Sequence, residues 1–205
     1  IPVAEDSGLI VSIGEWVLHA ALRQWRQWHE QGLPCPRVAV NLSMAQFRQP
    51  DLVQRVRQAL QAHDVPPARL ELELTEGVLL QDAELALATV AALRELGVQL
   101  SIDDFGTGYS SLAYLRRFAV QRIKIDRSFV ADLPHDAEAD AIVDLIVMLA
   151  QRLGLETLAE GVEHRAQAQA LLARGCRLAQ GYAYARPMPA DECARWLRTQ
   201  EAGRA

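Results

Sequence analysis

Carboxylates, amides and one lysine stand where the predicted strands of this chain end. They are Asn41, Glu73, Glu76, Asp103, Asp104, Lys124, Asp126, Glu160, Glu163 and Gln180. Oxygen donors, with no cysteine or histidine among them, favour hard divalent ions such as Mg²⁺ or Mn²⁺ over zinc. The adjacent Asp103 and Asp104 suit a bridged pair of ions, which in phosphoryl chemistry clamps the attacking and leaving oxygens. Metal-assisted phosphoryl chemistry is therefore the first hypothesis.

Lys124 is the one lysine beside twenty arginines, and Asn41 is the one asparagine. An ammonium group is a compact charge that suits a phosphate oxygen or a catalytic water. Compositional drift that leaves one stray lysine on the surface is the alternative interpretation. The place of Lys124 at the end of a predicted strand favours a role in the site.

Helix capping is the other explanation for acidic residues at strand ends. It fits any single position, but the predicted helix starts fall later, at Asp51, Asp82 and Asp191. Side chains alternate along a strand, so Asp103 shares a face with Ser101, and Lys124 shares one with Arg122. Burying several carboxylates together without cations costs several kcal/mol per ion. A metal is the simplest compensation.

The hydrophobic pattern alternates short strands with amphipathic helices, which predicts a parallel α/β sheet. The predicted strands cover 37–41, 70–74, 98–103, 122–125, 156–159 and 177–180. The predicted helices cover 13–30, 51–63, 82–96, 140–153, 165–174 and 191–198, and the fourth carries Leu145 and Ile146 on its apolar face. Two architectures fit six strands: a complete open doubly wound sheet, or a (β/α)8 barrel without its first part, since a closed barrel takes roughly 250 residues.

Composition narrows the class of protein. The 205 residues carry a net charge of −5, which is unfavourable for general binding to DNA. The longest nearly apolar run, 141–150, is interrupted by Asp144 and is too short to cross a membrane. Three cysteines without metal-binding spacing indicate reduced thiols and a cytoplasmic location. The glycine segment at 106–111 is a weak match to a dinucleotide fingerprint, because two aspartates precede it.

Six segments together resemble the EAL domain, the phosphodiesterase family of cyclic di-GMP. In chain order they are VNLS (40–43), ELTE (73–76), IDDFGTGYSSL (102–112), KIDRSFV (124–130), AEGVE (159–163) and QGY (180–182). The resemblance implies a modified (β/α)8, TIM-like barrel with one antiparallel strand. It also implies Mg²⁺- or Mn²⁺-dependent hydrolysis of cyclic di-GMP to linear pGpG.

Residue roles follow from the same resemblance. Its metal ligands correspond to Asn41, Glu73, Asp103, Asp104 and Glu160. Lys124 corresponds to the residue that holds the catalytic water, and Lys124, Asp104 and Glu160 form the expected catalytic set. Gln180 and Glu163 correspond to residues that support the metals and substrate. Glu76 corresponds to the glutamate that anchors the loop at 105–111, a loop linked to dimer contacts.

The Glu-Ala-Leu motif itself is not in this sequence. We expect one EAL domain over 1–200 that lacks its N-terminal strands, followed by a tail at 201–205. The resemblance further implies a homodimer and an upstream sensor, cyclase or receiver domain, without membrane contact from this chain. A receptor that binds cyclic di-GMP without hydrolysing it is the main alternative, and a different metal-dependent barrel hydrolase is a weaker one.

Overall fold

A computed structural model describes residues 1–35, 37–80, 82–108 and 115–202 of the chain. The strands are β1 (Val38–Asn41), β2 (Leu70–Thr75), β3 (Gln99–Phe105), β4 (Arg122–Ile125), β5 (Glu156–Ala159) and β6 (Leu178–Ala179). The helices are α1 (Pro2–Asp6), α2 (Ile10–Glu30), α3 (Met44–Phe47), α4 (Leu52–Ala62), α5 (Glu76–Leu80), α6 (Ala83–Leu96), α7 (Arg127–Val130), α8 (Ala137–Leu153), α9 (Arg165–Ala173) and α10 (Ala190–Ala202). All six predicted strands are present, and the longer predicted helices are confirmed with shifted ends.

The strands form one sheet in the order β1-β2-β3-β4-β5-β6. The pairs β1–β2, β3–β4, β4–β5 and β5–β6 are parallel. A doubly wound sheet reverses its strand order at a switch point, and this order never reverses. The open doubly wound alternative was therefore wrong. The antiparallel strand implied by the family resemblance is not among the strands in the described ranges.

Contacts divide the chain into two compact units. The first consists of Ile1–Glu73, Ala91–Gln99 and Pro187–Ala205. Its core includes one face of α2, on which Leu22 and Trp25 are almost completely buried. These apolar residues recur at helical spacing, so the long helix can bury one stripe. Its outer face still exposes Ile13 and Trp16.

The second unit consists of Leu74–Val90 and Leu100–Arg186. All four residues of β4 are buried, including two charged ones. Helix α8 buries Val143, Ile146, Val147 and Ala150. The expected position of Leu145 on the buried face was wrong, because that side chain is 60% exposed. Apolar residues surround much of this helix, so spacing alone did not determine which face packs inward.

Helix starts show where sequence reasoning about caps failed. Helix α8 begins after Asp136, whose carboxylate accepts hydrogen bonds from the N–H groups of Glu138 and Ala139 at 2.7 and 2.9 Å. The predicted start at 140 was therefore about one turn late. Asp51 does precede α4, but its carboxylate accepts a hydrogen bond from Arg55 instead of capping the helix. A charged partner one turn away competes effectively with the backbone.

Within the described part of the chain, no helix combines the length and the apolar character that a membrane crossing requires.

Candidate active site

The end of β3 carries two consecutive aspartates into the same place. Asp103 and Asp104 would point to opposite faces of a regular strand. The pairing of β3 with β4 instead shifts register between Ile102 and Phe105, and Asp104 has a φ of 52°. That left-handed conformation is uncommon for a residue other than glycine and is concentrated at functional sites. Because of this irregularity, the Asp104 carboxylate lies close to the carboxylates of Asp103 and Glu160.

Lys124 lies between the carboxylates of Asp103 and Glu160. Its side chain on β4 is only 3% exposed, and its Nζ lies 2.9 Å from Asp103 Oδ1 and 2.6 Å from Glu160 Oε1. An ammonium group buried this deeply is stable only when carboxylates and hydrogen bonds compensate for lost hydration. The interpretation of Lys124 as a stray surface residue is therefore excluded.

Glu160 follows β5 and is held from the other side by the residue after β6. The Gln180 side-chain amide donates a hydrogen bond to Glu160 Oε1 at 2.7 Å. Lys124 and Gln180 therefore both contact one carboxylate oxygen of Glu160. These two donors come from different parts of the chain, and together they fix the orientation of that carboxylate.

Two glycines maintain the close backbone approach beside Glu160 and Gln180. Gly161 has a φ of 66°, and a Cβ at that position would lie 2.5 Å from Arg127 Cβ. Gly181 has a φ of 149°, and a Cβ there would lie 2.3 Å from the backbone of Val162. Any side chain would force the two segments apart. Both glycines belong to motifs of the sequence, but the sequence alone did not suggest a role for them. The feature that could have indicated their role is their position directly after a predicted site residue.

Three carboxylates of this group are close enough to bind one ion. Asp103, Asp104 and Glu160 each offer an oxygen, and these oxygens lie within 4.8 Å of one another. Burial raises the pKa of Asp104, and Asp103 and Asp126 raise it further. Burial also raises the pKa of Glu160, although Lys124 opposes that change. A divalent cation would relieve both effects, so the donor set fits Mg²⁺ or Mn²⁺.

Glu76 is buried at the start of α5, and neither of its carboxylate oxygens has a hydrogen-bond partner among the described residues. A Cβ on Gly108 would lie 3.5 Å from Glu76 Oε2, so the glycine backbone approaches this carboxylate closely. Gly108 belongs to the segment at 105–111 that we expect Glu76 to anchor. The remainder of that segment, 109–111, lies outside the described residues.

The other predicted site residues have varied surroundings. In the first unit, Asn41 and Glu73 pair across β1 and β2, and Glu73 is buried. Glu163 is exposed, and its backbone N–H donates to Gln167 Oε1 at 2.8 Å. Asp126 accepts a hydrogen bond from the Ser128 N–H at 3.0 Å and caps α7. At Asp126 the capping explanation was therefore correct.

A parallel α/β sheet with acidic residues at its strand ends defines a barrel-type α/β protein with a candidate site for divalent cations. The chain belongs to the EAL domain family, whose model matches residues 1–187. This confirms the resemblance found in the sequence.

A protein of Pseudomonas aeruginosa named bifunctional diguanylate cyclase/cyclic di-GMP phosphodiesterase MucR is 48% identical over 94% of this chain. The match spans 28% of MucR, so the chain corresponds to about a quarter of that relative's length. A solved MucR phosphodiesterase in complex with c-di-GMP superposes with a TM-score of 0.90, covering 94% of this chain and 78% of that one.

BlrP1 of Klebsiella pneumoniae, solved as a manganese/cy-diGMP complex, is 31% identical, with a TM-score of 0.78. The alignment covers 86% of this chain and 45% of BlrP1. These likenesses confirm the expected TIM-barrel-like α/β fold class.

Proposed function

We propose that the protein containing this chain hydrolyses cyclic di-GMP to linear pGpG in a reaction that needs Mg²⁺ or Mn²⁺. The observation that carries the proposal is Lys124, buried between Asp103 and Glu160 beside a third carboxylate. The relatives' names supply the substrate, because MucR is named as a cyclic di-GMP phosphodiesterase and was solved with that dinucleotide.

Asp103, Asp104 and Glu160 would hold the divalent ions. By the family's motif, we assign Asn41 and Glu73 as further ligands. When bound, such ions polarise phosphate oxygens, lower the pKa of a nucleophilic water and neutralise developing charge. They would also allow an acidic protein to bind a dianionic substrate.

Lys124 would orient the attacking water and stabilise the charge that develops on phosphorus-bound oxygen. Its ammonium group has three N–H donors, and Asp103 and Glu160 hold it in place. A donor fixed in advance costs no reorganisation when the reaction occurs. Gln180 would act through Glu160 as a positioning residue, because its amide contacts the carboxylate directly.

Glu163 is assigned a supporting role by the family's motif alone. The homodimer, the upstream regulatory domain and the extent of the domain over 1–200 stay predictions.

The first experiment uses the full-length protein, incubated with cyclic di-GMP and Mg²⁺, with Mn²⁺, or with excess EDTA. Chromatography follows pGpG, and calorimetry measures binding of the dinucleotide separately. We expect pGpG with either metal, none with EDTA, and loss of pGpG in Asp104→Asn. Glu156→Gln, at the opposite end of β5, is the matched control and should keep turnover. Binding without product under every metal condition would overturn the proposal and favour a receptor.

A further inference from the structure

Two histidines of the first unit form a contact that the proposed function does not use. His19 lies on α2, and His63 follows the last residue of α4, 44 positions further along the chain. His19 Nδ1 and His63 Nε2 are 3.0 Å apart, and the two rings meet edge to face. Both side chains are partly buried, so the helices rather than solvent determine how the imidazoles face each other.

We propose that the His19–His63 pair binds a divalent transition-metal ion, Cu²⁺, Ni²⁺ or Zn²⁺, and thereby ties α2 to the end of α4. These are the ions that imidazole nitrogen prefers. With metal–nitrogen bonds of about 2.0–2.1 Å, two ligands of a tetrahedral ion stand roughly 3.3 Å apart. The observed separation of 3.0 Å is close to that value, and a rotation of the two rings would turn their nitrogens from each other towards a shared ion.

The protonation state of the pair suits a metal. In the present contact one nitrogen carries a proton and the other accepts it. The donor ring can present its lone pair by moving its proton to its other nitrogen, so no net proton is released. Burial lowers the pKa of His63, and the nearby His19 and Arg23 lower it further. The ring is therefore neutral, and available as a ligand, at neutral pH.

The surrounding charges set a limit on affinity. Arg23 repels a cation at this place, as its effect on the pKa of His63 shows. Arg26 is held by Glu30 at 2.8 Å and by Asp64 at 2.7 Å, so its charge is compensated. With two protein ligands and water completing the coordination, we expect weaker binding than at a three- or four-ligand zinc site.

The test is electron paramagnetic resonance of the full-length, untagged protein with one equivalent of Cu²⁺. Coupling to imidazole nitrogen distinguishes a histidine site from the Asp103–Asp104–Glu160 cluster, which offers carboxylate oxygens, and the variants then assign the signal to one pair. We expect the nitrogen coupling to be lost in His19→Gln and in His63→Gln. His29→Gln is the matched control: His29 lies on the same helix, stacked on Trp25, and its removal should leave the signal intact.

A nitrogen signal that is unchanged in the double variant His19→Gln/His63→Gln would overturn the proposal. Should a variant fail to fold, nuclear magnetic resonance of the wild-type protein with ¹⁵N-labelled histidine decides the question. Stoichiometric Zn²⁺ should shift or broaden the His19 and His63 resonances before those of His29, His135 and His164. Simultaneous broadening of all five would equally contradict a specific site. Neither readout depends on cyclic di-GMP turnover.

Discussion

Strands β4 and β5 carry charged residues at both of their ends, but they balance the charge differently. Where the two strands begin, Arg122 pairs with Glu156 at 2.8 Å, and the two residues are partners in the strand register. Where they end, Lys124 contacts Glu160, while Asp103 and Asp104 crowd the same place. At the beginning of the two strands, the balanced end, one cation is matched with one anion. At their other end, the unbalanced end, three carboxylates lie around one ammonium group.

The difference distinguishes a structural ion pair from the site that we propose to be functional. A balanced pair stabilises the fold and needs nothing further. Asp103 is buried, Glu160 is half-buried and Asp104 is exposed, so their surplus of negative charge is only partly solvated and favours the binding of a cation. Lys124 and Arg122 are two residues apart on one strand, so variants at these two positions test the comparison directly.

The largest expected effect is on turnover at the unbalanced end. Lys124→Ala should lower kcat for cyclic di-GMP by about 10²–10³-fold, the usual cost of removing a fixed electrostatic donor. Binding of the dinucleotide should weaken far less, because metal ligands remain. Steady-state kinetics and calorimetry on the full-length protein measure the two quantities. Equal losses in turnover and binding would remove the catalytic role of Lys124.

Arg122→Ala should have the opposite effect: it should lower the stability of the protein and leave kcat unchanged. Glu156 has a 58% exposed side chain and can be solvated alone, whereas Arg122 is 11% exposed and loses both packing and its ion pair. We expect the free energy of unfolding to fall by about 1–2 kcal/mol. Urea titration measures that change, and kcat at a temperature where the variant is folded should match the wild type. A loss of turnover comparable with that of Lys124→Ala would show that the two ends are not separate.

The sequence predicted the composition of the unbalanced end better than its geometry. Strand ends and residue types were enough to select Asp103, Lys124 and Glu160, because parallel strands present their carboxyl ends at one edge. The same reasoning selected Asp104, although strand alternation alone would place its side chain on the opposite face from Asp103. The register shift and the positive φ at Asp104 correct this, and neither has a signal in side-chain periodicity.

Helix boundaries were less predictable, because side chains compete for the same partners. Asp51 could cap α4 but binds Arg55, whereas Asp126 looked like a site residue and caps α7. In both cases the residue type allowed two roles, and the position of a neighbour decided between them. The buried face of α8 was similarly undetermined, since Leu145 and Val147 are equally apolar and only one is buried.

The smallest expected effect is on the stability of the metal-free protein. Burial raises the pKa of Glu160 above its ordinary value of 4.5. The stability that protonated Glu160 contributes is fully present below pH 4.5. It is lost as the pH rises through the higher pKa that Glu160 has in the folded state. In EDTA, the Tm should therefore fall with rising pH in this interval. Glu160→Gln should reduce that fall and raise the Tm by a few degrees at neutral pH.

In Mn²⁺ the Tm of the wild type should be higher than that of Glu160→Gln. The ion stabilises the wild type by binding, whereas the variant lacks one of the ligands that would hold the ion. Differential scanning calorimetry with EDTA and with Mn²⁺ makes the comparison. Glu156→Gln is the control: it removes a carboxylate from the balanced end of the same strand, so it should neither gain metal-free stability nor lose the response to Mn²⁺. If both glutamate variants behaved alike, the surplus of negative charge at Glu160 would not be what metal binding relieves.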